Sequence, residues 1–184
     1  EDATVTLTAD PGGATAPAGA LGTFDLAAGE VELFYAQGTS AAPGDLYISS
    51  TAPIGVLHYM TSSGHPNCNN LGDPAMAYVS PTQQFLPRYV VLVPSTWSND
   101  ALVITRHEGV GVLLDDEEIP GEEFIPVAGS GYEVARVAAA DGVHTLYSMD
   151  DELGLGVMVV GWDMYDSYAY VGGMGMIAID EDVK

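Results

Sequence analysis

Two aspartates that could form a carboxylate pair, Asp163 and Asp166, lie in Trp162-Asp163-Met164-Tyr165-Asp166-Ser167-Tyr168. A carboxylate pair can hydrolyse glycosides, and neighbouring aromatics can stack on sugar rings. The same residues also suit a tight turn, because Asp bonds its own backbone there. The turn is the favoured reading. The aromatic content of this stretch makes Trp162, Tyr165, Tyr168 and Tyr170 the candidate recognition surface, loop-borne, for glycan or protein. A second concentration of oxygens is Asp115-Asp116-Glu117-Glu118, with Glu122 and Glu123 nearby. Ca²⁺ takes about six to eight oxygen ligands, which acidic loops can supply. The spacing is not that of an EF-hand, so a solvated acidic turn is the simpler reading, and these four acids are the metal candidates if Ca²⁺ binds.

Other chemistries find less support. His58, His65, His107 and His144 show neither HxH nor HExxH spacing, so no zinc site is indicated. His58 and His144 fall in strand patterns, as packed or edge residues do. Ser130 stands between Gly129 and Gly131 but lacks the rest of a nucleophile elbow. No reaction is named by these residues. The chain is expected to be non-enzymatic, with no required cofactor and with Ca²⁺ as the one it admits.

Charge narrows the partners. There are 26 Asp and Glu against 4 Lys and Arg, a formal net charge of -22. The basic residues are Arg88, Arg106, Arg136 and Lys184. Such a chain repels nucleic acid and anionic lipid. It also lacks an internal lysine for Schiff-base, P-loop or isopeptide chemistry. No apolar run approaches the ~18 to 20 residues of a membrane span. The remaining partners are an extracellular protein, a glycan, or copies of the chain itself. Cys68 is the single cysteine, which excludes an intrachain disulfide. It is read as a small buried thiol or as the partner of a cysteine in another chain. The start at Glu1 fits a processed protein or an excised fragment.

The elements that must position these residues are strands. Hydrophobic residues are 47%, enough for a core, and no window sustains helical periodicity. Thr4 to Thr8 alternates polar and apolar, and a small-residue stretch follows to Gly22. Thr23–Leu26 and Val31–Tyr35 flank Ala27-Ala28-Gly29-Glu30 as a hairpin. Further strands are expected at Leu46–Ser49, Ile54–Tyr59, Ala101–Thr105, Val110–Leu114, Phe124–Val127, Tyr132–Val137, Val143–Tyr147, Leu155–Val160 and Met174–Ile179. Tyr89–Val93 is continuously apolar and reads as buried on both faces. Asp141-Gly142 is the strongest hairpin signal, of type I′. Pro81–Phe85 reads as one helical turn, with Ser80 as its cap. This spacing predicts an all-β antiparallel β-sandwich, as one body or as two packed β-subdomains. Residues 1–20 are expected to be an N-terminal strand with a flexible Gly/Ala/Pro segment, and 21–184 the sandwich domain. The Thr-Val-Thr-Leu-Thr strand could complete a neighbour's sheet, so Val5, Leu7 and Cys68 are candidate intermolecular contacts.

Three stretches carry a family resemblance. The first is Pro53-Ile54-Gly55-Val56, Gly72-Asp73-Pro74-Ala75-Met76 and Ser80-Pro81-Thr82-Gln83-Gln84-Phe85. The second is Leu114-Asp115, Phe124-Ile125-Pro126-Val127-Ala128-Gly129-Ser130-Gly131-Tyr132 and Gly142-Val143-His144. The third is Leu155-Gly156-Val157-Met158-Val159-Val160-Gly161-Trp162 and Ser167-Tyr168-Ala169-Tyr170-Val171-Gly172-Gly173-Met174. Together they resemble the N-terminal domain named after IgGFc-binding protein, found widely in extracellular bacterial proteins. The likeness covers about residues 45–179. Asp116 stands where the family usually has Gly, and Val171 where it has Pro. The resemblance implies an extracellular or cell-surface, adhesive, β-rich domain. It carries over no binding residues and does not imply IgG as the ligand. The alternative is a self-assembling subunit of an extracellular fibre or surface layer. A carbohydrate-active enzyme using Asp163 or Asp166 ranks third.

Overall fold

The computed structural model describes residues 1–9, 22–36, 38, 43–65 and 68–176. Most of the expected Gly/Ala/Pro segment, from residue 10 on, lies outside the described residues, as do Ile177–Ile179 of the expected last strand. Contacts divide the chain into two units: residues 1–55 with 125–134, and Val56–Phe124 with the chain from Ala135 onward.

In the first unit β1 (Ala3–Ala9) pairs with both β2 (Gly22–Leu26) and β3 (Leu46–Ser50), all antiparallel. The period of two sends Ala3, Val5 and Leu7 to one face, where Phe24, Leu26, Phe34, Ile48, Ala52 and Ile54 pack on them. The turn at Ala27–Glu30 forms as expected, closed by Glu30 N–H donating to the Ala27 carbonyl at 2.9 Å. The strand expected after it does not. Val31–Tyr35 has no ladder, and β2 takes β1 as its partner instead. The segment is anchored by the Phe34 side chain in the core, which leaves Val31, Leu33 and Tyr35 exposed. Also in this unit, β10 (Ile125–Val127) pairs with the start of β11 (Tyr132–Ala138). Gly129 and Gly131, at φ 64° and 75°, make that turn. Tyr132 stacks on Tyr47 of β3.

The second unit is the sandwich. Its strands are β4 (Leu57–Tyr59), β5 (Met76–Tyr78), β6 (Arg88–Val93), β7 (Asn99–His107), β8 (Val112–Leu114), β9 (Glu117–Glu118), β12 (Gly142–Ser148), β13 (Gly156–Asp163) and β14 (Asp166–Val171). Within this unit one sheet runs β6-β12-β8-β9, another sets β7 between β13 and the part of β11 from Ala135 onward, with β14 beyond β13, and β4 and β5 form a ribbon. Facing residues of the two large sheets make one core: Tyr89, Val91 and Val93 of β6, Val112 and Leu146 from β8 and β12, Leu102, Ile104, Val157 and Val159 from β7 and β13. Each such burial contributes about 1.5–3 kcal/mol. Two of the few basic residues are held against aromatic rings, Arg88 over Tyr147 and Arg106 over Phe124. The all-β antiparallel sandwich read from the sequence is the architecture found.

Five local expectations give way in whole or in part. β6 is not buried on both faces: Tyr89, Val91 and Val93 turn inward while Arg88, Val90 and Leu92 face out, because its sheet is covered on one side only. Asp141-Gly142 is not a hairpin turn. β11 and β12 belong to different sheets, so this dipeptide crosses the sandwich. The loop expected at 162–168 shrinks to its turn: β13 and β14 run up to Met164-Tyr165, with Asp163 opposite Asp166. The helical turn expected after Ser80 forms, as the 3-10 turn Thr82–Gln84, but Pro81 rather than Ser80 is at its N-cap and no side chain caps it. Met174–Met176 carry no strand.

Candidate functional site

Parts of the first and third stretches that carry the family resemblance meet in the second unit. Phe85 lies on Gly154 and Gly156, where any Cβ would fall within 2.9 Å of Phe85 or Leu86 atoms. Leu86 and Leu155 exchange backbone hydrogen bonds, and the Tyr89 hydroxyl donates to the Leu155 carbonyl at 2.7 Å. Gly175 N–H reaches the Gln84 carbonyl at 2.7 Å. Gly72, at φ 79°, donates to the Asp163 carbonyl, and Asp73 N–H donates to Ser167 Oγ at 2.9 Å. These residues are scaffold: they hold the ends of β13 and β14 against the segments before β6.

Leu114-Asp115 and Gly142-Val143-His144 meet in the same way. Asp115 and Asp116 are the central residues of the β8–β9 turn, both at positive φ (51° and 67°), as a type I′ turn requires. Asp115 Oδ1 accepts from Thr145 N–H at 2.8 Å, and Oδ2 lies 2.6 Å from His144 Nδ1. His144 Nε2 lies 2.7 Å from the Ala140 carbonyl. Both neighbours of the ring are acceptors, so the pair is complete when the imidazole is doubly protonated. The Thr145 amide, then the His144 ring, hold the Asp115 carboxyl below its ordinary pKa. Burial works against the His144 cation, but the Ala140 carbonyl and Asp115 outweigh it and raise its pKa. The carboxylate of Asp115 therefore clamps the turn to β12. Asp116, Glu117 and Glu118 stay exposed around it. Among the described residues no three His, Cys, Asp or Glu side chains gather so as to hold a metal ion.

The four candidate aromatics separate. Tyr168 and Tyr170 sit on the inner face of β14, packed against the core. The Tyr168 hydroxyl donates to Asp100 Oδ1 at 2.6 Å, and its ring lies 4.6 Å from that of Trp97. Burial first, and then Asp100, push this phenol well above its usual pKa. The Tyr170 hydroxyl donates to the Leu92 carbonyl and accepts from Leu92 N–H. Gly161 lies opposite Tyr168, and a Cβ there would come within 2.1 Å of the ring and 2.4 Å of Asp100. Trp162 pairs with Ser167, so it points to the other face of the sheet. Tyr165 alone stands at the tip, at φ 59°, and is exposed beside Met164. Asp163 does turn work: Oδ1 accepts from Met164 N–H and Oδ2 from Ser98 Oγ. The hairpin tip is held by backbone, since Tyr165 N–H donates to the Asn70 carbonyl and Leu71 bridges Met164.

Sequence reasoning missed Trp97, Ser98 and Asp100, because nothing local in their segment predicts contact with residues more than 60 positions away. It also passed over Met164, whose exposure follows from the turn. Val5 and Leu7 are 2% and 3% exposed in a strand already paired on both sides, so β1 has no free edge to donate. Cys68 is half-buried, with Sγ 3.6 Å from Thr61 Oγ1. His58 is exposed on β4, opposite Ala77. In the first unit a shallow cavity of about 340 Å³ is lined by Asp2, Thr4, Asp25, Leu26, Glu30 and Thr51 among others.

Neither the curated proteins nor the solved structures yield a match to the chain. The family model described as IgGFc binding protein matches residues 1–161. The match reaches further toward the start than the resemblance read from residues 45–179. It ends at Gly161, before the Ser167–Met174 stretch. With most of its length matched, the chain belongs to the IgGFc binding protein family.

Proposed function

We propose that this chain is a non-enzymatic binding domain of the extracellular space or the cell surface. It serves adhesion by recognising protein or glycan through side chains its scaffold leaves exposed. Family membership over residues 1–161 carries this reading, since the family is one of extracellular binding domains. The partition of the aromatics supports it further. Tyr168, Tyr170 and Asp163 are engaged within the fold, while Met164 and Tyr165 are presented at a hairpin tip whose backbone is anchored. An anchored tip loses little conformational entropy when it meets a ligand. Exposed Met and Tyr are among the side chains favoured at interfaces.

The test is binding of the purified domain to a glycan array and to immobilised extracellular-matrix proteins. A ligand should appear, and joint alanine substitution of Met164 and Tyr165 should weaken it tenfold or more, on the order of 1.4 kcal/mol, without changing the melting temperature by more than a few degrees. Unchanged binding by the double variant would remove the tip from the proposal. A self-assembling subunit is the second reading, supported by β2 and β3 each pairing, among the described residues, with β1 alone and by exposed Val31, Leu33 and Tyr35. Light scattering of the purified protein separates it from the first.

A further inference from the structure

β6 and β12 present an outer face that the sandwich does not cover. Val143 lies opposite Leu92, Thr145 opposite Val90, and Tyr147 opposite Arg88. Val90, Leu92 and Val143 are 65%, 56% and 65% exposed. On the other side of β12, Tyr147 lies opposite Leu113, and Leu113 opposite Glu118. The alternation along β6 is regular, yet apolar residues occupy both sides of it. A solvent-facing side of an antiparallel pair ordinarily carries polar residues. Here Val and Leu stand in adjacent register, about 4.7–5.5 Å apart across the strands and about 7 Å along them. The result is a contiguous apolar strip.

Two features define what fits it. The first is the edge of the sheet. The Leu92 N–H and C=O that point away from β12 are both bonded to the Tyr170 hydroxyl. An incoming strand therefore cannot extend the ladder there, and the opposite edge is the two-residue strand Glu117–Glu118. Docking is side chain to side chain, on the face. The second feature is charge. Glu118 lies beside Leu113 in the register, and Asp141 precedes Gly142 at the end of β12. The only basic group in the strip, Arg88, is stacked on Tyr147. The chain as a whole carries 26 acidic residues against 4 basic ones. A second copy would bring the same field, and like charges oppose close approach.

We infer that the outer face of β6 and β12 docks a protein partner whose own apolar strip is flanked by lysine or arginine. The inference deepens the binding function proposed above and rests on it. It adds to the Met164–Tyr165 tip a second contact, on the Val90–Leu92–Val143 strip, with specificity set by the acidic rim.

The experiment uses the whole chain and three synthetic peptides: a Lys-Val repeat, a Lys-Ser repeat of equal charge, and a Glu-Val repeat. The Lys-Val peptide should bind, with amide shifts concentrated at Val90, Leu92, Val143 and Thr145. The other two should bind at least tenfold more weakly. The double variant Leu92→Asp, Val143→Asp should lose the Lys-Val interaction by a similar factor. Leu92→Thr with Val143→Thr gives the same readout with strand-compatible residues should the aspartates unfold the sheet. Equal binding of the Lys-Ser or Glu-Val peptide, no binding of the Lys-Val peptide, or shifts elsewhere would overturn the inference. So would dimerisation of the wild type that either double variant abolishes, because the occupant would then be a second copy. If both double variants still bind the extracellular ligand normally, the strip is eliminated while the general binding function stands.

Discussion

Asp115-Asp116 and Met164-Tyr165 close two hairpins of the same sandwich in opposite ways. At the first, a side chain ties the turn down: the Asp115 carboxylate holds His144 and Thr145 of β12. At the second, the backbone does so, through Asn70, Leu71 and Gly72, and the side chains of Met164 and Tyr165 are left in solvent. Both turns sit in segments whose composition suggests ligand chemistry. In a polar cluster at a turn, a single carboxylate, Asp115, is engaged by its own fold while its acidic neighbours stay exposed. An apolar tip held by main-chain bonds stays available.

The largest effect should come from the support beneath the second hairpin. Gly161→Ala places a methyl against Tyr168 and Asp100. Overpacking of this kind costs about 1–3 kcal/mol. The melting temperature should fall by roughly 5–10 °C, with loss of the Tyr168–Asp100 bond visible in the tyrosine absorption titration. Retention of full stability would mean the sheet yields there, and that the second hairpin is less firmly held than described.

Asp115→Ala should cost about 1–2 kcal/mol in chemical denaturation, discounted because the carboxylate is half-exposed. Alanine at Glu117, with no such bonds, should cost under about 0.5 kcal/mol. Equal effects at the two positions would show that the first turn is not clamped by its side chain.

The clamp also predicts a pH window. His144 has a raised pKa, so its contribution is complete below its ordinary value of 6.5 and is lost as pH rises through the folded-state value. Asp115 has a lowered pKa, so its contribution is complete above its ordinary value of 3.8 and is lost as pH falls through the folded-state value. The pair stabilises most between about pH 4 and 6.5. A plot of the melting-temperature difference between wild type and His144→Gln against pH should peak in that interval. A flat difference would leave the clamp without a protonated histidine.

The smallest effect sharpens the turn geometry. Asp116 holds φ 67°, a conformation glycine adopts without steric cost. Asp116→Gly restores an Asp-Gly type I′ pair and should stabilise by about 0.5 kcal/mol. Destabilisation would point to a role for the Asp116 side chain.

The strands were legible where alternation or a β-branched run was dense. β1, β3, β7, β11 and β13 fall where their patterns place them. Pairing was not legible. Asp141-Gly142 has the better hairpin dipeptide, yet Asp115-Asp116 makes the hairpin, because a turn's partners depend on which sheet each flanking strand joins. Val31–Tyr35 has strand propensity but no ladder, because Phe34 is drawn into a core formed by β1, β2 and β3. At the candidate site, the aromatic concentration was visible but its division was not. Strand register alone sends Trp162 to one face and Tyr168 and Tyr170 to the other.

Composition and local pattern thus determined an acidic, strand-rich chain with a formal net charge of -22. Those properties depend on counts and on short-range periodicity, which folding does not alter. Which side chains remain for a partner was decided by tertiary structure. Tyr168 and Asp115 are occupied, and Val90, Leu92 and Val143 exposed, through contacts between residues distant in sequence. Such contacts exist only once two sheets have faced each other and buried one side of each.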